Sequence, residues 1–329
     1  MNVAVIGLGS MGKRRIRLLK KVKADIKLFG IDLNKKRAQE VQNEYALAGI
    51  YDSLNHLIQT VNVDAVIICS SPLTHHEYVL KALENQIPTF SEINLTAEKY
   101  DKIITTSDDN HKVAFLSSTF LYRKEIQWIK QNTNPRKSFY RYHVGQYLPD
   151  WHPWESYKDF FVKEKRTNGC REIMAIDFPW IVDIFGHVAD FKVIRSKKTE
   201  LELDYPDVYQ MLFQHESGAS GNITIDLVSR KAERSLQIIR EYRQIEWDGT
   251  PETLYVYDIA NKEMKSVELY AGIKREKGYA TNIIEDAYEE ELKTFLKSLE
   301  KQENLGLYSY EKDKQILTLI DNIEDRQHD

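Results

Sequence analysis

Apolar and polar positions follow two different rhythms along this chain. Up to about residue 118, short apolar runs alternate with helix-length amphipathic segments. Asn2–Ile6, Ile26–Ile31, Val63–Cys69, Pro88–Glu92 and Val113–Ser117 are expected as strands, with helices after Gly12, over Glu77–Asn85 and after a cap at Thr96. Val63–Cys69 is almost continuously apolar, as a strand buried on both faces should be. Such alternation predicts a doubly wound parallel sheet covered by helices. Beyond residue 119 the period shortens. Ser138–Tyr147, Val188–Arg195, Val208–Gln214, Gly221–Leu227, Leu236–Trp247, Leu254–Asp258 and Met264–Leu269 alternate as strands, separated by turns such as Ser217-Gly218 and Asp248-Gly249. That pattern predicts a large, mostly antiparallel open sheet. Helices over Ile283–Leu299 and Glu311–Ile323 close the chain. The fold class is therefore α/β: a first domain over 1–120 and an α+β domain over 121–329, with room for the C-terminal helix to pack back on the first domain.

Composition narrows the function classes. With 329 residues, 42% of them hydrophobic and 29% charged, the chain fits a globular protein with two cores. A net charge of -4 gives no footprint for nucleic acid or a membrane surface. The two cysteines, Cys69 and Cys170, make no disulfide framework and fit a reducing cytoplasm. No signal pattern precedes the first strand, and no apolar run approaches a membrane span. The histidines and cysteines show no metal-ligand spacing.

Chemistry enters at the first turn. The strand Asn2–Ile6 runs into Gly7-Leu8-Gly9-Ser10-Met11-Gly12 and then a basic helix. A strand, a glycine turn and a helix N-terminus together make an anion site. One glycine allows the turn, one lets the backbone approach a pyrophosphate, and one allows helix–strand packing. Asp32 follows Gly12 by 20 residues, where a carboxylate for the adenosine ribose belongs. The first domain is thus expected to be a Rossmann domain that binds NAD, with NADP disfavoured by Asp32 although Lys35, Lys36 and Arg37 follow closely. Lys13, Arg14, Arg15 and Arg17 oppose the helix dipole, and most are expected as solvated surface charge. In an open α/β sheet, ligands gather at the carboxyl ends of strands, which puts Gly7, Asp32, Ser70, Ser71, Glu92 and Ser118 on one edge.

The segment Ser71-Pro72-x-x-x-His76, then Ala82-Leu83-Glu84-Asn85-Gln86, then Glu92 resembles the glucose–fructose oxidoreductase/inositol dehydrogenase (Gfo/Idh/MocA) family. Its members carry T-P-x-x-x-H, A-L-E-x-G-K-H-V and E-K-P in that order. Phe120-Leu121-Tyr122-Arg123 is similar to the family's aromatic–arginine segment. The resemblance implies cofactor contacts from Gly7, Gly9, Ser10, Met11, Gly12, Asp32, Ser70, Ser71, Pro72, His76 and Glu92. It also implies a homodimer or homotetramer formed through the open face of the C-terminal sheet. Two departures stand out. Where the family has Glu-Lys-Pro, with a lysine that assists proton transfer, this chain has Glu92-Ile93-Asn94. Alignment of the later D-x-G-x-H-x-x-D motif on Phe185-Gly186 puts Ile176 at the histidine and Pro179 at the aspartate, leaving Glu172 at the earlier acid. Isoleucine can carry no proton.

The stretch Gln146–Tyr157 is rich in proline and aromatics and is expected as a structured loop. Trp151, Trp154 and Tyr157 there, with Arg123, are candidate sugar-binding residues; the alternative is aromatics that only pack on the sheet. Its wording resembles a branch of the family associated with surface-polysaccharide and nonulosonic-acid pathways. Candidate proton-handling residues are Glu172 beside Arg171, Glu92, His152, Asp177 and Tyr122, against a structural Arg171–Glu172 pair. Three functions stay open: an oxidoreductase of a sugar or nucleotide-sugar, an enzyme using bound NAD transiently on a sugar, and a catalytically silent protein that binds NAD or a sugar.

Overall fold

The computed structural model describes residues 1–151, 155–159, 161–273 and 283–326. Two compact units form: residues 1–122 with 286–317, and 123–285 with 318–329.

In the first unit, strands and helices alternate as the pattern requires: β1 (Asn2–Ile6), α1 (Ser10–Val22), β2 (Lys27–Ile31), α2 (Lys35–Tyr45), β3 (Gly49–Tyr51), α3 (Leu54–Thr60), β4 (Ala65–Ile68), α4 (His75–Glu84), β5 (Thr89–Ser91), α5 (Tyr100–Asp109) and β6 (Ala114–Leu116). All six strands are parallel, in the order β3-β2-β1-β4-β5-β6. Val3, Ala4, Val5 and the whole of β4 are 0% exposed, the two-sided burial that the continuous apolar run foretold. The order reverses between β1 and β4, the topological switch point at whose carboxyl edge such sheets bind ligands. The later segment of this unit returns to the same sheet, where Phe295 packs edge-on against Phe90 and Phe115.

The second unit contains α6 (Lys124–Asn132), β7 (Phe139–Gly145), α7 (Gly169–Phe185), β8 (Val188–Ser196), β9 (Val208–His215), β10 (Ser220–Asp226), β11 (Glu233–Arg240), β12 (Arg243–Trp247), β13 (Tyr255–Asp258) and β14 (Glu263–Ser266). Helices α8 (Glu285–Lys301) and α9 (Tyr310–Asp325) complete the chain. Its eight strands run β14-β13-β12-β11-β7-β10-β9-β8, antiparallel except for the β7–β10 pair. Along β9 burial alternates strictly: Tyr209, Met211 and Phe213 point inward. The inner face is covered by α7, where Tyr140 stacks on Phe185 at 4.1 Å and Trp180 meets Tyr142 edge-on. The outer face leaves Leu212 57% and Ile194 62% exposed.

Four local expectations change. The stretch Leu236–Trp247 is a hairpin, not one strand, because the chain turns at Glu241-Tyr242 between β11 and β12. Thr96 does not cap α5; Lys99 does, in a left-handed conformation (φ 60°). The three-residue β3 carries too short a period to be found from sequence. Arg14 and Arg15 are buried, 3% and 0% exposed, where solvated charge was expected.

Candidate functional site

The glycine turn is built as the motif demands. Gly7 has φ +84°, and a Cβ there would lie 2.6 Å from the backbone of Cys69 and Ser70. A Cβ on Gly12 would lie 2.0 Å from the Gly7 carbonyl oxygen, so this glycine lets α1 meet β1. Gly9 differs: a Cβ there meets nothing within 4 Å. It caps α1 with extended backbone (φ −73°, ψ −160°) that any residue can adopt. Neither packing nor conformation accounts for a glycine there, and the open space leaves room for close approach by a ligand. Ser10 and Met11 open α1, with the Met11 sulfur accepting from Arg14 Nη1.

Asp32, just past β2, accepts from the Leu8 and Asn34 amides at 2.8 Å each, which ties it to the glycine turn. Arg37, in the first turn of α2, reaches the same carboxylate, with Nη2 3.2 Å from Oδ1 and Nε 3.1 Å from Oδ2. Beside it Leu33 is 89% exposed, an uncovered apolar side chain.

Past β4, Pro72–Thr74 forms a one-turn 3-10 helix in which the Thr74 hydroxyl bonds to Ser70 Oγ and donates to the Ser71 carbonyl, both at 2.8 Å. His75 is 1% exposed and spans the Ser70 carbonyl (2.9 Å) and the Asn94 side-chain amide (3.0 Å). Burial lowers its pKa, against the hydrogen bonds to Ser70 and Asn94, which raise it. Asn94, at the position of the family's proline, thereby joins the turn after β4 to the segment after β5. His76 is 8% exposed, with Glu98 3.9 Å away.

Glu92 follows β5 and is met by Arg15 of α1, whose Nε lies 2.6 Å from Glu92 Oε1. The other side of the guanidinium reaches Glu291 of α8 at 2.8 Å and the Ser117 hydroxyl at 3.1 Å. Glu291 also accepts from the Ser118 amide at 2.9 Å and the Thr119 hydroxyl at 3.0 Å. Burial raises the Glu291 pKa while Arg15 pulls it down. Sequence reasoning missed this cluster because its members lie 77 and 276 residues apart. Tyr122, a candidate proton handler, is 6% exposed and accepts from the Leu307 amide at 3.1 Å; burial raises its pKa.

The candidates of the second unit sort differently. Arg123 is 3% exposed, with Nη2 donating to Glu125 at 2.5 Å and to the Gly249 carbonyl at 2.9 Å. Asp177 is 0% exposed and pairs with Arg234 and the Trp180 indole in the core between α7 and the sheet. Arg171 meets Asp321 at 2.6 Å and Glu324 of α9. Glu172, one residue on, shares with Ile176 a half-buried stripe of α7 at i, i+4 spacing, while Ile173, Met174 and Ala175 between them are buried. Its Oε2 is sealed from solvent and has no hydrogen-bond partner among the described residues. Burial alone pushes its pKa up to about 8. Trp151 donates its indole N–H to the Gln146 carbonyl at 3.0 Å, and its ring edge would lie 3.4 Å from a Cβ at Gly169, where α7 begins. Tyr157 accepts from the Glu202 amide at 3.2 Å. His152 and Trp154 lie outside the described residues. Among the described residues, no group of three His, Cys, Asp or Glu side chains could hold a metal ion, and no helix is long and apolar enough to cross a membrane.

Comparison with known proteins agrees with this arrangement. The inositol 2-dehydrogenase of Paracoccus denitrificans is 34% identical over 112 residues, 33% of each chain, so the match spans only a third of that relative. The myo-inositol 2-dehydrogenase of Thermotoga maritima is 25% identical over 316 residues, 92% of this chain and 89% of that one. The UDP-N-acetylglucosamine 3-dehydrogenase of Acidithiobacillus ferrooxidans shares the fold with a TM-score of 0.76 at 18% identity, covering 98% of this chain and 96% of that one. Residues 1–118, which hold the glycine turn, Asp32 and the Glu92 segment, match the GFO_IDH_MocA family model, described as an oxidoreductase family with an NAD-binding Rossmann fold.

Proposed function

We propose that the protein is an NAD(P)-dependent oxidoreductase of a sugar or nucleotide-sugar in which Glu172 handles the proton. The observation that carries the cofactor half is Gly9, where an added Cβ would meet no atom of the described residues within 4 Å. Gly7, Gly9, Ser10, Met11 and Gly12 would hold the pyrophosphate on the α1 N-terminus, and Asp32 the adenosine ribose. A bound nicotinamide supplies a hydride acceptor or donor.

Hydride chemistry on an alcohol needs a group that takes a proton from the hydroxyl or returns it. The lysine and histidine of the family pattern are replaced by Ile93 and Ile176. Glu172 is the remaining acid on that stripe of α7, and a carboxyl with a pKa of about 8 can exchange a proton near neutral pH. Asp177 and Arg171 are committed to ion pairs, so they hold α7 in place instead. Trp151, against the start of α7, offers a flat apolar face of the kind that stacks on a sugar ring. The relatives that act on inositol and on a UDP-sugar support polyols and nucleotide-sugars as the substrate class.

The test is NADH absorbance with a panel of polyols, sugars and UDP- or CMP-sugars. We expect turnover on at least one, falling by about 10²-fold or more in Glu172→Gln with NADH binding kept. Binding of NADH without turnover across the panel would instead favour a catalytically silent binding protein, as Ile93 and Ile176 would suit. Full turnover in Glu172→Gln would remove Glu172 from the proton-handling role.

A further inference from the structure

The carboxylate meant for the adenosine ribose is already engaged. Asp32 accepts from the Leu8 and Asn34 amides at 2.8 Å and from Arg37 Nη2 at 3.2 Å, and Arg37 Nε lies 3.1 Å from its other oxygen as an ion-pair contact. A ribose diol brings two more donors to a group with about four acceptor positions, so some of these contacts must leave. The amides cannot, because Leu8 lies within the glycine turn and Asn34 caps α2, its own side chain accepting from the Arg37 amide at 3.0 Å. Arg37 can. Its side chain is 45% exposed, whereas the Asp32 side chain beneath it is 5% exposed.

We infer that Arg37 sets the nucleotide selectivity of this protein and lets it take both NADH and NADPH. This rests on the cofactor reading above and extends it. Arg37 covers Asp32 and gives way to the diol of NADH. The displaced guanidinium is then a planar fork beside the ribose, suited to bidentate contact with a 2′-phosphate. With NADPH it also stands between that phosphate and the Asp32 carboxylate, which would otherwise repel it. Arg37 therefore competes with the diol of one cofactor and recruits the phosphate of the other, so removing it should move the two affinities in opposite directions.

The experiment titrates wild type, Arg37→Ala and Asp32→Asn with NADH and with NADPH by fluorescence, with thermal melts to confirm folding. Arg37 is exposed enough to lose without collapse, and Asn at position 32 keeps an acceptor for one of the two amides, a change whose cost the melt reads. Wild type should bind both cofactors. Arg37→Ala should weaken NADPH about tenfold or more while NADH stays within about threefold or tightens. Asp32→Asn should weaken NADH and hold or tighten NADPH. Three results would overturn the inference and leave the cofactor reading intact: equal weakening of both cofactors in Arg37→Ala, no change in either, or wild type that binds NADH but not NADPH. Wild type that binds neither would overturn both.

Discussion

Both units pair carboxylates with guanidinium groups, but the second unit leaves one acid of α7 outside such a pair. In the first unit, Asp32, Glu92 and Glu291 each meet a guanidinium, from Arg37 or Arg15, at 3.2 Å or less. In the second, Arg171 and Arg234 are committed to Asp321, Glu324 and Asp177. Glu172, one helical step from Arg171, has a buried oxygen that meets no hydrogen-bond donor. A paired carboxylate has its acceptor oxygens engaged and helps fix the structure. An unpartnered one costs stability, and such exceptions collect where chemistry needs a group poised between protonation states.

The contrast can be broken from either side. The largest effect is expected at the cluster of the first unit. Arg15→Met would leave Glu92 and Glu291 without their cation and should cost about 3–5 kcal/mol in denaturant unfolding. The same kind of measurement on Glu172→Leu should show the opposite sign, a gain of about 1–3 kcal/mol near pH 8, because an unsatisfied buried group is removed. A loss of stability there would mean that Glu172 has a stabilising partner. The last effect is the pH dependence, read per pH unit as a slope of at most about 1.4 kcal/mol. Glu172 has a folded pKa of about 8 and an unfolded value near about 4.3. Between those values the folded state binds one proton more than the unfolded state, so this group makes stability fall as pH rises through the window and level off above it. Subtracting the Glu172→Leu profile from the wild-type profile should isolate that slope; a flat difference would contradict the raised pKa.

Much of the first unit was legible because its information is local. The apolar run of β4, the glycine turn and Asp32 each sit where a period or a fixed spacing puts them. Gly9 is a special case: sequence named it, and the open space around it is what supports a ligand as its reason. The charge pairs were not legible, since Arg15 looks like a surface cation until Glu92 and Glu291 arrive from far along the chain. In the second unit the strand period was clear, yet the β11–β12 turn at Glu241-Tyr242 has no glycine or proline to mark it. Asp177 and Glu172 are both acids on α7, and no pattern in the sequence separates them. Their helical faces do: one points to Arg234 and Trp180 in the core, the other to the half-buried stripe with Ile176.

The most direct test of the account is NADH binding to Gly9→Val, measured by fluorescence beside a thermal melt. The new side chain starts from a Cβ that touches no protein atom, on backbone that valine can adopt. The account predicts an unchanged melting temperature and loss of NADH binding, because the side chain would fill the space that the pyrophosphate needs. Unchanged NADH affinity in a folded Gly9→Val protein would contradict it.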